Sequence, residues 1–398
     1  MPRRAGCQVC CMTYRVSVVR CPEYSLPVVR ASIAESIERC GGMESYLGPG
    51  DRVLIKPNLL AAAPPWQAVT THPSVVQAVI EEVQACGARA VLGDSPGGHT
   101  TPASYRAILA ATGMRDVIEN TGAGVVDFDE ASEMFPSKNG KIFKRLAITA
   151  ALKEVDAVIA LPKFKTHQLT GFSGAVKLSY GYVPGATKAE YHLHAGRDVG
   201  LFAELLLDIW ETFPPTLTIM DAVVAMEGEG PRHGQPRHIG VVLAGESGPA
   251  IDMVAAVIAG MDPLAMPTVR LAAERGLGPA GMGEIELSGV PPGDVMVHDF
   301  RPAHGAYALH IPGYAYAVAQ RLFAARPVIA ASRCTGCGTC VASCPPGAMA
   351  MGRGRIPAID ASRCIRCYCC QELCPAGAVE IGVPLLRRIL HAHSQRHP

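Results

Sequence analysis

Two cysteine runs near the C-terminus constrain this chain more than any other feature. Cys334, Cys337, Cys340 and Cys344 are followed by Pro345, and Cys364, Cys367, Cys370 and Cys374 by Pro375, so one C-x2-C-x2-C-x3-C-P spacing occurs twice, 30 residues apart. Three thiolates at such intervals wrap one face of a [4Fe-4S] cube while the fourth ligand arrives from elsewhere. The crossed arrangement is expected, with Cys374 completing the set of Cys334, Cys337 and Cys340, and Cys344 completing that of Cys364, Cys367 and Cys370. Zinc sites need fewer thiolates and no duplicated run of eight, so two 4Fe-4S clusters are the expected cofactors. Cys369 is a ninth cysteine beside the ligand Cys370.

The remainder of the 398 residues is long enough for a large buried core. A formal net charge of +1 gives no global field toward nucleic acid or an anionic membrane, and no basic patch interleaved with aromatics is visible. Fifteen cysteines would suggest disulfides in a short secreted chain, but here most lie in runs that require reduced thiolates. Arg3 and Arg4 lead into Cys7, Cys10 and Cys11 rather than a secretory apolar segment, and no transmembrane stretch stands out. The expected location is therefore cytoplasmic, and a homodimer is compatible with this reading.

Residues 1–13 are expected to be a flexible extension. Strand, helix and strand signals then alternate: a strand at 14–20, a helix at 28–40, a strand at 52–55, a helix from Pro73 to about Cys86 capped by Thr71, and a strand at 88–92. A helix over 102–119, a strand at 124–128, a hairpin excursion over 131–150 and a strand at 156–161 follow. Beyond them, strands are expected at 217–220 and 239–244, with helices at 200–210, 250–259 and 265–275. This order predicts an α/β domain over 14–300, with a mainly parallel or mixed sheet and flanking helices. A linker (301–326), a small bacterial-ferredoxin-like domain (327–382) and a tail or short helix (383–398) complete the expected organisation.

Ligands in open α/β sheets bind beyond the C-terminal strand edge. Lys56 follows one predicted strand, and Lys163, Lys165 and His167 follow another; Lys177, Lys188, His192, His194 and Arg197 occupy the loops beyond. A lysine directly after a strand suits a carboxylate or phosphate ligand, making Lys56, Lys163, Lys165 and Lys177 the candidate anion-binding set. Asp94 and Asp221 occupy comparable post-strand positions, and with His167 and His192 they form the candidate catalytic set; His72 is a further histidine within their plausible reach. The segment 59–67, containing Trp66, reads equally as a lid or as a surface loop.

The ordered motifs Lys56-Pro57-Asn58, Asp94-Ser95, Pro162-Lys163-Phe164-Lys165-Thr166-His167, Gly174-Ala175-Val176-Lys177 and Asp221-Ala222 resemble the prokaryotic family called domain of unknown function 362, in its version with a C-terminal ferredoxin module. The resemblance spans about residues 14–380 and extends to Ala250-Ile251-Asp252. It departs at Leu178, where the family typically places asparagine after the lysine. It implies an iron-sulfur-linked α/β protein without supplying a reaction. Two functional expectations follow: an oxidoreductase passing electrons from the clusters to a small anionic substrate or cofactor, with a redox protein as donor or acceptor; or a non-catalytic electron-transfer or assembly protein docking onto a partner enzyme.

Overall fold

The computed structural model describes residues 13–98, 101–305 and 324–384. The three cysteines at positions 7, 10 and 11, most of the expected linker and nearly all of the expected tail lie outside the described residues.

The chain opens with β1 (Tyr14–Arg20), α1 (Leu26–Glu38), β2 (Arg52–Pro57), α2 (Pro73–Ala85) and β3 (Arg89–Asp94). It continues with α3 (Pro102–Ala111), α4 (Met114–Thr121), β4 (Gly124–Asp127), the hairpin β5 (Ser132–Pro136) and β6 (Arg145–Thr149), then β7 (Ala157–Leu161), β8 (Lys163–His167) and β9 (Gly171–Ser173). After α5 (Ala175–Leu178), α6 (Gly185–Ala195) and α7 (Val199–Thr212) come β10 (Leu217–Glu227), β11 (Gln235–Gly245), α8 (Gly248–Ile258), α9 (Pro267–Glu274) and β12 (Ile285–Gly289).

Apart from the separate β5–β6 hairpin, these strands form one mixed sheet ordered β12-β1-β11-β10-β7-β2-β3-β4, with β8 branching from β10 and β9 pairing with β8. The β10-β7-β2-β3-β4 stretch is parallel, whereas β11 runs antiparallel to both β1 and β10. The central strands are buried apolar runs, as expected where helices cover both faces. On one face α1, α2 and α4 contribute to a core containing Val79, Ile55 and Ile159. On the other, α7 and α8 pack in two clusters around Leu206, Leu54 and Val254.

Several local expectations change in the folded chain. Gly113, at φ 76°, divides the single helix expected over 102–119 into α3 and α4. The α2 cap is His72, whose Nδ1 accepts from Ser74 N at 3.2 Å, while Thr71 donates to Leu161 O across the sheet. The segment 163–167, expected only to follow the strand at 156–161, is itself strand β8, and β10 continues past Asp221 through a register irregularity to Glu227. Strand β12 went unrecognised because Glu286, Leu287 and Gly289 are exposed and its burial pattern is that of an edge.

The C-terminal module contains two antiparallel pairs, β13 (Arg326–Ile329) with β16 (Val379–Gly382), and β14 (Met349–Met351) with β15 (Pro357–Ile359). Two short helices, α10 (Thr339–Ala342) and α11 (Cys369–Leu373), occupy equivalent positions in the two cysteine runs. The whole is a mixed α/β fold carrying a small ferredoxin-like domain.

The sheet sets a gradient of sensitivity to truncation. Ile159→Ala, at a fully buried position between β2 and β10, is expected to lower stability by about 2–5 kcal/mol. Val125→Ala, on edge strand β4 and 45% exposed, should cost less than about 1 kcal/mol. Urea midpoints of the two variants, compared with the parent, check the difference.

Candidate functional site between the two modules

Strand β8 presents Lys163, Lys165 and His167 on one face, because side chains two residues apart share a side. Each finds a different partner. The Lys163 ammonium donates to Asp221 Oδ2 at 2.8 Å and to Tyr24 Oη at 2.7 Å, and Tyr24 in turn donates to Asp221 Oδ1. The Tyr24 ring stacks on His72 at 3.6 Å, and His72 N donates to Asp221 Oδ2. Lys165 donates to Asn58 Oδ1 and Val69 O, both at 2.7 Å. His167 Nε2 lies 2.9 Å from Glu372 Oε1 of the ferredoxin-like module, off the line of an ideal hydrogen bond.

Backbone geometry defines the His167 tautomer. Its Nδ1 accepts from Leu169 N and Thr170 N, so a neutral ring carries its proton on Nε2, toward Glu372. Burial pushes His167 down to about 4. Burial alone would raise Glu372, but the His167 contact and the Lys177 and His192 charges outweigh it and hold the carboxyl at about 2.

A cavity of about 780 Å³ lies at this junction. One wall comes from the strand ends at Lys56, Asn58 and Asp94; a second from Lys177, Tyr180, Lys188 and His192 on α5, the following turn and α6. The third belongs to the ferredoxin-like module: Cys337 to Thr339 and Ala342 to Pro345 from the first run, with Cys369, Glu372 and Leu373 from the second. The loop Gly97-Gly98 permits this approach, since a Cβ on Gly97 would meet Leu373 Cδ2 at 2.9 Å.

The lysines of the cavity are not equivalent. Lys56 is buried and paired with Asp94 at 2.5 Å, and Asp94 also accepts from Leu59 N. Burial lowers Lys56 and the Asp94 charge partly restores it. Lys188 donates to Ser95 Oγ at 2.9 Å and to the carbonyls of Ser95 and Pro96, and burial takes it down to about 7. Lys177, half buried, has no hydrogen-bond or carboxylate partner among the described residues; its ammonium stands 5.8 Å from the Tyr180 ring centre. Asp252 of α8 fixes the helix that carries it, accepting from Ala175 N at 2.6 Å and Val176 N at 3.1 Å. A Cβ on Gly174 would sit 1.9 Å from Asp252 Oδ1, which links two motifs distant in sequence.

Of the candidate set, Lys56, Asp94, Lys177 and His192 line the cavity. Lys163 and Asp221 form their own buried network, Lys165 reaches the cavity only through Asn58, and His167 stands behind Glu372. Arg197 serves instead at the joint, donating to Ser362 O and Cys364 O at 2.9 Å. His194 is exposed beside Glu190, and Trp66 is 73% exposed and absent from the cavity wall. Among the described residues, no three His, Cys, Asp or Glu side chains converge to hold a single metal ion.

Glu372 escaped the sequence reading, although one signal pointed to it. The first run places Ala342 where the second places Glu372, so the repeat breaks its own symmetry with a carboxylate.

The cysteines fit the crossed cluster arrangement. One small cavity is lined by Cys334, Cys337, Cys340 and Cys374, a second by Cys344, Cys364, Cys367 and Cys370. The final cysteine of each run accepts a backbone N–H in the same way, Cys344 from Ala348 at 3.1 Å and Cys374 from Ala378 at 3.2 Å. Met349, Ala378 and Val379 supply an apolar surround. Hydrogen bonds to sulfur and a dry surround are what tune such clusters.

Fold and site together define an iron-sulfur α/β protein with redox capability, whose ferredoxin-like module closes over the C-terminal strand edge. The chain belongs to the domain of unknown function (DUF362) family, whose model matches residues 53–257, and a 4Fe-4S dicluster domain model matches 333–378. It is 35% identical over 268 residues to a thylakoid-associated protein of Synechocystis sp., covering 67% of this chain and 81% of that one. Among solved structures it is similar to the lactate racemase apoprotein from Thermoanaerobacterium thermosaccharolyticum, with 14% identity and a TM-score of 0.36. That match covers 59% of this chain, which spans about half (54%) of the racemase chain. No helix among the described residues is long and apolar enough to cross a membrane.

The buried histidines impose a pH dependence on folding. His72 and His167 are held at about 4 and His192 at about 3, in each case chiefly by burial, against an ordinary value of 6.5. The unfolded chain therefore binds more protons below pH 6.5, so stability is fully present above that pH and falls as pH drops toward the folded values. His192 stacks on Phe202 at 4.5 Å, so His192→Phe keeps the packing and removes one titration. Urea midpoints between pH 7 and 5 should fall less steeply for this variant than for the parent.

Proposed function

We propose that the protein is an iron-sulfur oxidoreductase that exchanges electrons with a small organic anion held in the inter-module cavity. The observation that carries this reading is the shared wall: Cys337 from one ligand set and Cys344 from the other line the same cavity as Lys177, Lys188 and His192. Bound clusters supply one-electron chemistry, and the residues around them control position, polarity and access.

Lys177 is the principal anion-binding group, since its ammonium has no carboxylate to displace. Lys56 holds Asp94 at the cavity wall, neutralises it, and stiffens the end of β2. Lys188 is the proton donor, because a group held near 7 on the cavity wall suits transfer in either direction at neutral pH. His192 stays neutral and gives the ligand a flat aromatic surface. Glu372, on the same wall and facing His167, offsets part of the positive charge of Lys177 and Lys188, while Leu60, Leu178 and Leu373 accept the ligand's apolar portion.

Binding and redox coupling are tested together. Anaerobically prepared holoprotein is titrated calorimetrically with a panel of phosphates and carboxylates, and its reduced electron paramagnetic resonance spectrum is recorded with each. One class should bind saturably and change the spectrum, and Lys177→Met should weaken binding about tenfold or more, or about 1.4 kcal/mol. Lys163→Met removes one partner of a buried pair outside the cavity wall, so it should lower stability by about 3–5 kcal/mol instead. An affinity indifferent to Lys177→Met, or no member binding, would overturn the cavity reading in favour of a non-catalytic carrier.

A further inference from the structure

The eight ligand cysteines are unequal in exposure. Cys340, Cys367, Cys370 and Cys374 are buried, three others are half-covered, and Cys337 alone is exposed. The Cys364 run is clasped by Arg197, whereas the Cys334 run meets hairpin β14–β15 on its outer side. The hairpin base is tied to the second ligand set, with Ala348 N donating to Cys344 Sγ and Asp360 O accepting from Cys364 N. Its tip reaches the first, since Arg355 donates to Gly336 O at 3.4 Å, one residue before Cys337.

That tip reads Met351-Gly352-Arg353-Gly354-Arg355 and is exposed throughout. Met351 is 42% exposed. Arg353 has no hydrogen-bond or ion-pair partner among the described residues, and Arg355 meets only a carbonyl. The described part of the module carries six arginines against Asp360, Glu372 and Glu380, and of these carboxylates Glu372 is turned inward onto His167 while Glu380 faces Arg333. Arg355 thus brings a tip carrying unpaired positive charge and an exposed thioether to the residue next to the exposed ligand Cys337. Small, charged, weakly apolar patches of this kind make transient redox contacts that steer encounter and release quickly.

We propose that this edge, formed by Met351, Arg353, Arg355 and Cys337, is the docking surface for an acidic one-electron carrier protein. The carrier loses one electron and the dicluster module gains it; no bond forms or breaks, and no proton need move. The inference requires the dicluster module and not the cavity ligand, so it stands or falls apart from the oxidoreductase reading.

The test uses the full-length holoprotein, an acidic ferredoxin as the carrier probe, and reduced methyl viologen, a small cation, as the contrast. Affinity is measured by titrating oxidised holoprotein with oxidised ferredoxin, and reduction is followed by stopped-flow absorbance with each reductant. The doubly substituted R353E/R355E should bind the ferredoxin about tenfold or more weakly at low salt and be reduced by it correspondingly slowly, with the difference shrinking as salt is raised. Its rate with methyl viologen should be unchanged or faster. R115E, which reverses an exposed arginine on α4, should match the parent. Equal slowing with both reductants at equal iron content, or equal loss in R115E, would overturn the proposal. A salt series on the unaltered protein decides independently of any variant: a ferredoxin rate that does not fall with salt, or faster reduction by a basic carrier, contradicts it.

Discussion

The contact on which the rest depends is that of Glu372 with His167. It joins a carboxylate inside the second cysteine run to the last residue of a buried strand, and thereby seats the ferredoxin-like module on the C-terminal strand edge. Removing Glu372 would leave the Nε2 proton of a fully buried imidazole without its partner, which costs more than an exposed pair contributes. Around it, Gln371 donates to Glu229 O, Arg232 to Glu372 O, and Arg197 to the Cys364 segment. The cavity exists because these joints hold the cysteine loops over the lysines without filling the space between them.

This arrangement separates the tasks of the basic residues by burial and partner. Lys163 and Lys165 are enclosed and satisfied, one by Asp221 and Tyr24, the other by Asn58 and a carbonyl, so they brace the branch where β8 leaves the sheet. Lys177 is held up by Asp252 through its helix and faces the cavity, and Lys188 is held in place by neutral oxygens, with the Asp94 and Asp129 charges restoring part of what burial takes from it. Electrostatics in the cavity thus combines the ammonium groups of Lys177 and Lys188 with the Glu372 carboxylate, while Lys56 is matched to Asp94.

The cluster ligands were legible because their chemistry dictates local spacing, and the crossed pairing reappears in the lining of two small cavities. The alternation of strands and helices was legible for the same kind of reason, as burial on both faces writes apolar runs such as Ala157 to Leu161 into the sequence. Long-range pairing left fainter marks. Nothing near Lys163 signals that Asp221 will meet it, and β8 was not legible as a strand because its alternate residues are charged and become acceptable inside only through partners far away in sequence. Glu372 and Arg197 belong to the joint between modules, which a chain read in one dimension does not display.

An anion bound as proposed in this cavity lies against Cys337 and Cys344, one ligand from each run. Electron–nuclear double resonance on the reduced holoprotein, with the bound phosphate or carboxylate carrying phosphorus-31 or carbon-13, measures that proximity directly. A dipolar coupling between the label and the reduced-cluster spin, absent in Lys177→Met, is expected. Saturable binding with no coupling to the spin would locate the anion elsewhere and contradict it.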